Sequence, residues 1–329
     1  MARKVAFIGT GGTIASIGKG PLDLIDYGAN NTVVHAEDIV TAVPSVREVA
    51  DLVVVKFRDI PSTRDLVSRM ETTRRAPPSA GRGDPRPRRD RDRPRHRVSG
   101  RERVFPQPHA QGAGGDRGLA APAERPGKRR GDEPGGRGPG RGQPRLGGAG
   151  VFVVLNDKIQ AAREATKTST FRLQTFRTPD FGVLGSVDGE HVRYYRRTER
   201  RNAPDTEFDI APLDSLPRVD ISYSYAGADG TAIRAFTSVG AKGIVLAAFA
   251  PGMVTPGEQE AIKAAVEAGV TVVVSTRAGS GVALDSAKLR PVGVLSADNL
   301  NPQKARLLLA LALTVTREPD EIRRIFATY

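Results

Sequence analysis

The chain has 329 residues, enough for one large domain or two medium domains that each bury a core. It contains no cysteine, which excludes disulfides and thiolate metal sites. No apolar run approaches the roughly 18 residues of a membrane span, and the start, MARKVAFIGTGG, is too short for the core of a signal peptide. We therefore expect a cytoplasmic protein.

The formal net charge of +13 is concentrated in one segment. Residues 71–150 hold 20 Lys and Arg against 9 Asp and Glu, which leaves a net charge of only +2 for the rest of the chain. The same segment holds 12 of the 24 prolines and 17 of the 36 glycines. Because it has too few apolar side chains to offset its ordering entropy, we expect residues 71–148 to be irregular or disordered.

Six apolar runs predict strands, namely KVAFIGT, DLVVVKF, GVFVVLND, RVDISYSY, GIVLAAF and VTVVVST. The spacing of Ala, Ile and Val predicts helices in GTAIRAFTSVG and PGEQEAIKAAVEAG. Asn301 as N-cap and Pro302 at the first helical position predict a last helix with the apolar body KARLLLALALTVT. Near-continuous apolar strands that alternate with helices indicate an α/β fold with parallel sheets covered on both faces. Charge and proline predict a linker at 196–217.

A glycine cluster follows the first strand, in the order Gly9-Thr10-Gly11-Gly12-Thr13-Ile14-Ala15. Glycines permit a tight turn and let backbone N–H groups approach a ligand closely. A dinucleotide fingerprint fits poorly because Ile14 is too bulky for its last position. A turn without chemistry is the plain alternative, but Thr13 stands near the carboxyl end of the first strand, where α/β folds gather their active sites.

TGGTIAS, then NDKIQAAREATKTSTFRLQTF, SYSYAGADGTAIRAF, GIVLAAFAPGMVTP, STRAGSG and LNPQKARLLLALALT together resemble the bacterial L-asparaginase (asparaginase/glutaminase) family. The resemblance implies two α/β domains with mainly parallel sheets. The larger, flavodoxin-like domain is expected at 1–195 and the smaller, Rossmann-like domain at 218–329, with the linker between them. It also implies hydrolysis of L-asparagine to L-aspartate and ammonia by a homotetramer of close dimers, without a metal or organic cofactor.

The resemblance further implies roles for four residues. Thr13 is expected to be the nucleophile, and its glycine neighbours supply N–H donors of the kind that acyl-enzyme chemistry needs. Lys167 of ATKTST is expected to assist proton transfer, although such a lysine alone is usually a solvated surface residue. Tyr27 matches the tyrosine of the loop that closes over the substrate, although a lone loop tyrosine is more often a packing residue. Ser62 is expected to bind the substrate carboxylate, with Asp59 as the competing assignment.

Two departures from the family lie in the C-terminal half. Relatives often place an asparagine and a glutamate of the neighbouring subunit against the substrate amine. The corresponding positions fall near Met253 and Lys288, and neither side chain can replace them. Recognition of the α-amino group, and with it the preference for asparagine or glutamine, is therefore left open by the sequence.

The family's second catalytic motif, H-G-T-D-T, is expected near residue 95, but no H-G-T occurs in the chain. In the family, its threonine and aspartate activate the water that hydrolyses the acyl-enzyme.

The codons of the anomalous segment can encode this motif in another reading frame. Codons for Pro94-Arg95-His96-Arg97, read one base out of register, can give His-Gly-Thr. The next codon in that frame cannot encode Asp. Neighbouring stretches in the same frame can give the family's strand and helix. We interpret residues from about 65–70 to 146–150 as the product of two compensating frameshifts, in the gene or in its sequencing. The chain as written is then expected to be inactive or poorly folded.

Two other classes of function stay open. The basic segment can bind phosphate backbones through charge alone, but Phe105 is the only aromatic residue in 71–150, so bases have almost no stacking platform. We expect such binding to be nonspecific and sensitive to salt. The other class is a catalytically dead protein that keeps the fold.

We predict that the DNA of the anomalous segment encodes the family's strand, H-G-T motif and helix in a shifted frame, and tryptic peptides of the natural protein that match this frame would locate the change in the sequencing. Mass spectrometry of the protein from its natural source is the measurement. Peptides that match RDRPRHRVSGRERVFPQPHAQ as written would contradict a sequencing error and would leave a lesion in the gene as the explanation that still needs a test.

Overall fold

The structure is a computed structural model that describes residues 3–9, 15, 17, 33–56, 104–106, 150–189, 191–203, 205–284 and 286–329. By their internal contacts, these residues divide into two units. The first unit contains the described residues up to Gln160 together with Val183–Arg197, and the second contains Ala161–Gly182 and Thr198–Tyr329. A segment from the middle of the chain therefore belongs with the C-terminal residues.

The strands, in chain order, are β1 (Arg3–Gly9), β2 (Ala50–Lys56), β3 (Val104–Pro106), β4 (Phe152–Leu155), β5 (Lys158–Ala161), β6 (Thr166–Lys167), β7 (Phe176–Arg177), β8 (Gly185–Asp188), β9 (His191–Tyr194), β10 (Val219–Tyr223), β11 (Gly243–Ala248), β12 (Thr271–Thr276) and β13 (Leu295–Ser296). The α-helices are α1 (Ala36–Thr41), α2 (Val46–Val49), α3 (Thr231–Ser238), α4 (Pro256–Glu267), α5 (Pro302–Ala312) and α6 (Pro319–Thr328). A short 3-10 helix spans Arg290–Val292. The six predicted strands are present as β1, β2, β4, β10, β11 and β12, and the two predicted helices are present as α3 and α4.

The first unit begins with β1 and β2, which pair in parallel along their full lengths. A methyl group added to Gly9, at the end of β1, would lie 2.6 Å from Cβ of Ala36 at the start of α1. A real Cβ does not tolerate so short a contact, so α1 can approach β1 here only because residue 9 is glycine. The first glycine of the cluster after β1 thus has a packing role that is independent of any ligand.

The other sheet of the first unit has the strand order β3-β4-β5-β8-β9. Its first pair, β3 and β4, is parallel, whereas β5–β8 and β8–β9 are antiparallel. Asn156 and Asp157 connect β4 to β5 with φ angles of 49° and 60°, which suits a two-residue hairpin turn. The expectation of an irregular segment at 71–148 does not hold for β3, which uses two of the few apolar residues of that segment, Val104 and Phe105. The rest of the segment lies outside the described residues.

The second unit contains a sheet of four parallel strands in the order β10-β11-β12-β13. All six residues of β11 are buried. On one face, Val245 and Val273 belong to a core that includes residues of α5 and α6. On the other, Ile244 and Val272 belong to a core that includes residues of α3 and α4. The prediction of a parallel sheet covered on both faces is confirmed for this unit.

Helix α5 begins as its sequence predicts. Asn301 is its N-cap, with the side-chain oxygen accepting from the backbone N–H of Lys304 at 3.0 Å, and Pro302 is its first residue. The prediction that this is the last helix is wrong, because α6 follows and buries Ile322, Ile325 and Phe326. No helix in the described part of the chain is long and apolar enough to cross a membrane.

The described residues of 196–217 form no helix or strand, and those from Thr198 onward belong to the second unit. The division of the chain into 1–195, 196–217 and 218–329 stays a prediction.

We predict that Leu309→Ala lowers the free energy of unfolding by about 2–5 kcal/mol, because it leaves a cavity between α5 and the sheet. Leu309 is fully buried, and Gly243 of β11 lies directly beneath it. Leu307, two residues earlier on the same helix, is 45% exposed, so Leu307→Ala is the matched control and is expected to change stability by less than about 1 kcal/mol. Urea unfolding of the two variants tests this, and equal losses would contradict the packing of α5.

Candidate functional site

The structure describes one of the four predicted site residues. Lys167 lies in β6 and belongs to the second unit. Thr13, Tyr27 and Ser62 lie outside the described residues, as does Asp59, so their roles stay predictions. The geometry of the candidate site is therefore built outward from Lys167.

The backbone of Lys167 is fixed by a small hairpin. Lys167 pairs with Phe176 across the antiparallel strands β6 and β7. The next residue, Thr168, donates from its backbone N–H to the carbonyl oxygen of Thr175 at 2.7 Å and from its hydroxyl to the same oxygen at 3.0 Å. The side chain of Lys167 itself is exposed. The hairpin thus fixes the main chain and leaves the ammonium group accessible.

The residue before Lys167 is held by the cap of α5. The side-chain amide nitrogen of Asn301 donates to the hydroxyl oxygen of Thr166 at 3.1 Å. The side-chain oxygen of the same Asn301 accepts from the backbone of Lys304. One amide therefore both caps a helix and holds the strand that carries Lys167.

The turn before β6 is held by Lys304, the third residue of α5. Its ammonium group donates to the carbonyl oxygen of Arg163 at 2.6 Å and also to that of Ala165. The side chains of Ala161 and Ala165 are buried on either side of this turn. Their burial fixes which residues of the segment face inward, and with it the outward position of Lys167.

The guanidinium group of Arg163 fixes the other side of the turn. Its Nε donates to the backbone oxygen of Tyr329 at 2.7 Å, and one terminal nitrogen donates to the side-chain oxygen of Asn299 at 2.8 Å. The remaining terminal nitrogen, Nη2, is buried without a hydrogen-bond partner among the described residues. Arg163 thus connects the turn to the end of α6 and to the loop before α5.

These groups line a cavity of about 30 Å³, which is the space that one water molecule occupies. The lining includes Arg163, Thr166, Asp180, Asn301 and Lys304, together with the Gly279–Gly281 loop. Asp180 accepts a hydrogen bond from the backbone N–H of Gly281 at 3.1 Å. Lys167 is not among the described residues that line the cavity, so we assign the cavity to the support of the Lys167 strand.

Lys304 and Arg163, the two cations that hold the turn before β6, lie close together in a place that disfavours positive charge. Burial, followed by the charge of Arg163, lowers the pKa of Lys304 to about 8, and Glu164 opposes this shift. Burial, followed by the charge of Arg200, lowers the pKa of Arg163, with Asp298 and Glu164 acting in the opposite direction. Both cations therefore stand where their charge is disfavoured, and the carbonyl and amide oxygens around them provide the compensation.

A larger, open cavity of about 800 Å³ lies elsewhere in the second unit and is lined by several arginines. Each of these arginines has an acidic partner, and the pairs are Arg200 with Asp298, Arg201 with Glu207 and Arg323 with Asp320. Glu199 and Asp298 also line the cavity. Because its charges are mixed and paired, this cavity is not a convincing anion site.

The carboxyl edge of the β10–β13 sheet carries a second rigid arrangement. The guanidinium group of Arg277 lies 3.9 Å from the centre of the Phe249 ring and donates to the carbonyl oxygen of Ser224 at 2.8 Å. The hydroxyl of Ser224 donates to the buried carboxylate of Glu258 at 2.9 Å. Met253 lies on the loop after β11 and is 56% exposed. Lys288 is also exposed.

Sequence reasoning did not identify Arg163 or Lys304 as parts of the site. A signal was present, because Lys304 and Arg306 are the only charges in the apolar body of α5. A charge in such a helix indicates a specific partner. The partners themselves, at Arg163 and Ala165, are about 140 residues away in the chain, so no local pattern connects them.

Two sequence models of one family match the chain. The model described as the glutaminase/asparaginase C-terminal domain matches residues 218–326, and the model described as asparaginase, N-terminal, matches residues 142–200. Lys167 and the Thr-Lys-Thr motif lie inside the second match, and Lys304 lies inside the first. Thr13, Tyr27 and Ser62 lie outside both.

Individual L-asparaginases and a glutaminase-asparaginase also match this chain. L-asparaginase 2 of Bacillus subtilis is 39% identical over 188 residues, which are 57% of this chain and 50% of that protein. L-asparaginase 2 of Escherichia coli is 37% identical over 182 residues, which are 55% and 52% of the two chains. A glutaminase-asparaginase of Pseudomonas fluorescens is 34% identical over 185 residues, which are 55% and 51%. The matched part of the chain thus spans about half the length of these curated relatives.

A solved structure is similar to this chain in its fold as well as in its sequence. The crystal structure of a probable cytoplasmic L-asparaginase from Campylobacter jejuni matches with a TM-score of 0.75 and 25% sequence identity, and the match covers 100% of each chain. The architecture of two α/β domains is therefore confirmed.

We predict that the stability provided by residue 304 depends on pH. Above about 8, folded Lys304 has released a proton that the unfolded chain keeps up to its ordinary pKa of 10.5. The unfolded state binds more protons in this window, so wild-type stability rises from pH 8 to about 10.5 relative to Lys304→Met. Thermal unfolding of both proteins across this range is the measurement. A difference in stability that does not change with pH would contradict the burial of the ammonium group.

Proposed function

The chain belongs to the glutaminase/asparaginase family, and on this premise we propose that it is an asparaginase-type amidohydrolase. The reaction converts L-asparagine and water to L-aspartate and ammonia. The observation that carries the proposal is the Thr166-Lys167-Thr168 motif, which lies inside the family match and stands on a strand whose backbone is fixed and whose lysine is accessible.

In the proposed mechanism, the hydroxyl of Thr13 attacks the carbon of the side-chain carboxamide. The C–N bond breaks, the nitrogen takes up a proton and leaves as ammonia, and an aspartyl ester forms on Thr13. Lys167 assists the proton transfers. Water then adds to the ester, and the release of L-aspartate restores the hydroxyl. Backbone N–H groups of the glycine cluster stabilise the negative charge that develops on the carbonyl oxygen.

Two further residues complete the proposed substrate site. Tyr27 closes over the bound amino acid, and Ser62 binds its carboxylate, with Asp59 as the competing assignment. Relatives named glutaminase-asparaginase support L-glutamine as a second substrate. No metal or organic cofactor takes part in the proposal.

We also propose a cytoplasmic homotetramer built from close dimers. Tyr223, Tyr225 and Met253 are large side chains at or near the carboxyl edge of the β10–β13 sheet, and each is more than half exposed in the single chain. Such a group of exposed apolar surfaces supports a subunit contact at this edge. The Campylobacter jejuni protein, described as a probable cytoplasmic L-asparaginase, supports the location.

A catalytically dead protein with the same fold is the second candidate. The sequence observation that favours it is the lack of any H-G-T in the chain. Without the threonine and aspartate of that motif, the acyl-enzyme lacks the pair that activates the hydrolytic water in the family. The chain as written then keeps the family's fold without completing the reaction.

Ammonia release from L-asparagine separates the two candidates. We predict background rates for the chain as written and turnover for the full-length protein whose frame is restored from about residues 65–70 to 146–150, with Asp supplied in its H-G-T-D-T motif. Thr13→Ala in the restored protein is expected to lower kcat/KM at least about a thousandfold, and Lys167→Met about a hundredfold. Lys263→Met is the control, because Lys263 is an exposed lysine on α4.

Each outcome decides a different claim. A restored protein that folds but hydrolyses neither L-asparagine nor L-glutamine would overturn the proposed activity. Turnover by the chain as written that depends on Thr13 would show that the H-G-T-D-T motif is dispensable and would remove the catalytically dead candidate.

A further inference from the structure

The segment Ala161–Gly182, which carries Lys167, is held mainly by polar contacts. Most of its large apolar side chains are exposed, with Phe171 69% and Leu173 60% exposed, whereas Phe176 is half-buried. The buried apolar side chains of the segment are only those of Ala161 and Ala165. Two methyl groups and part of the Phe176 ring bury a limited apolar area, so they provide a limited part of the free energy that orders this segment. Hydrogen bonds to the start of α5 therefore have an unusually large share in fixing its position.

We propose that Lys304 is a positioning residue, whose ammonium group fixes the turn before β6 and thereby the place of Lys167. The proposal rests on the proposed function for the role of Lys167. The ammonium group of Lys304 donates to the carbonyl oxygens of Arg163 and Ala165. Ala165 is only two residues before Lys167 in the chain. Asn301, one turn away on the same helix end, holds the intervening Thr166. Arg163, Ala165 and Thr166 are thus each joined by a hydrogen bond to α5 or to the loop before it.

The positive charge of Lys304 is unfavourable at this place in the fold, so a residue that only filled space here would be uncharged. It is the third residue of α5, and a cation near the N-terminus of a helix opposes the helix dipole. It is half-buried, and the cation of Arg163 lies close by. An uncharged side chain of the same length, such as Met, fills this place without these penalties. The hydrogen bonds to the two carbonyl groups are what Met cannot provide.

Positioning and plain structural support predict different results. If Lys304 only supports the fold, then Lys304→Met lowers global stability and affects the whole second unit. If Lys304 positions the Lys167 strand, the melting temperature stays within about 3 °C, because removing the buried charge offsets the lost hydrogen bonds. The loss is then confined to the turn and to β6.

Hydrogen–deuterium exchange on the full chain tests the structural half of the proposal. We expect peptides that span residues 163–168 to exchange at least about tenfold faster in Lys304→Met, while peptides from β11 and β12 stay unchanged. Lys304→Arg keeps a cationic donor and is expected to restore much of the protection. Lys263→Met is the matched control at an exposed lysine. Thr166→Val, compared with Thr166→Ser, tests the Asn301 contact without changing α5.

Kinetics on the frame-restored protein tests the functional half. We expect Lys304→Met to lower kcat for L-asparagine about tenfold with little change in KM, and Lys304→Arg to recover most of it. A fall in kcat with unchanged KM indicates that the displaced group acts on the reacting atoms and not on substrate binding.

The experiments distinguish a failure of the Lys304 proposal from a failure of the proposed amidohydrolase activity. Unchanged exchange at 163–168 in Lys304→Met would overturn the proposal, whether or not the protein is an enzyme. Faster exchange with unchanged kcat would show that the strand is fixed for a reason other than catalysis, which also overturns it. If the restored protein turns over no amide, the proposed function fails, while the exchange data still decide whether Lys304 fixes the strand.

Discussion

The ammonium group of Lys304, held between the carbonyl oxygens of Arg163 and Ala165, is the central contact between a mid-chain segment and α5 of the second unit. The segment has few fully buried apolar groups, so directional hydrogen bonds contribute much to its position. Hydrogen bonds of this kind fix distances and angles more narrowly than apolar burial does. That precision is what the proposed proton transfer by Lys167 needs, and under that proposal it accounts for a cation in a place where its charge is disfavoured.

The sequence predicts most of the second unit because its elements follow simple rules. Strands such as β11 are buried at every residue, so a continuous apolar run is a sufficient signal. The start of α5 is equally clear, since Asn301 and Pro302 are the residues that a helix start prefers. Helix α6 was missed although Ile322, Ile325 and Phe326 have helical spacing, because the short pattern follows charged residues and Pro319. The contacts of Lys304 were out of reach, because about 140 residues separate the partners.

The candidate site divides into a part that the structure describes and a part that stays a prediction. Lys167 has a defined strand, a defined hairpin partner and a defined support. Thr13 was assigned from the resemblance of TGGTIA and from its place after β1, and it lies outside the described residues. The one glycine of that cluster that the structure describes, Gly9, is required by the approach of α1. A glycine cluster alone is therefore weak support for a nucleophile, whereas the combination with Thr-Lys-Thr in the family's order is specific.

The most direct test of this account is the NMR signal of the Lys304 ammonium group in the full chain labelled with nitrogen-15. If the group donates to two carbonyl oxygens, its protons exchange slowly enough to be observed near neutral pH, and the signal disappears in Lys304→Arg. The group is then expected to titrate at about 8, well below the ordinary lysine value of 10.5. A Lys304 signal that exchanges as fast as that of the exposed Lys263, and titrates with the surface lysines, would contradict the account.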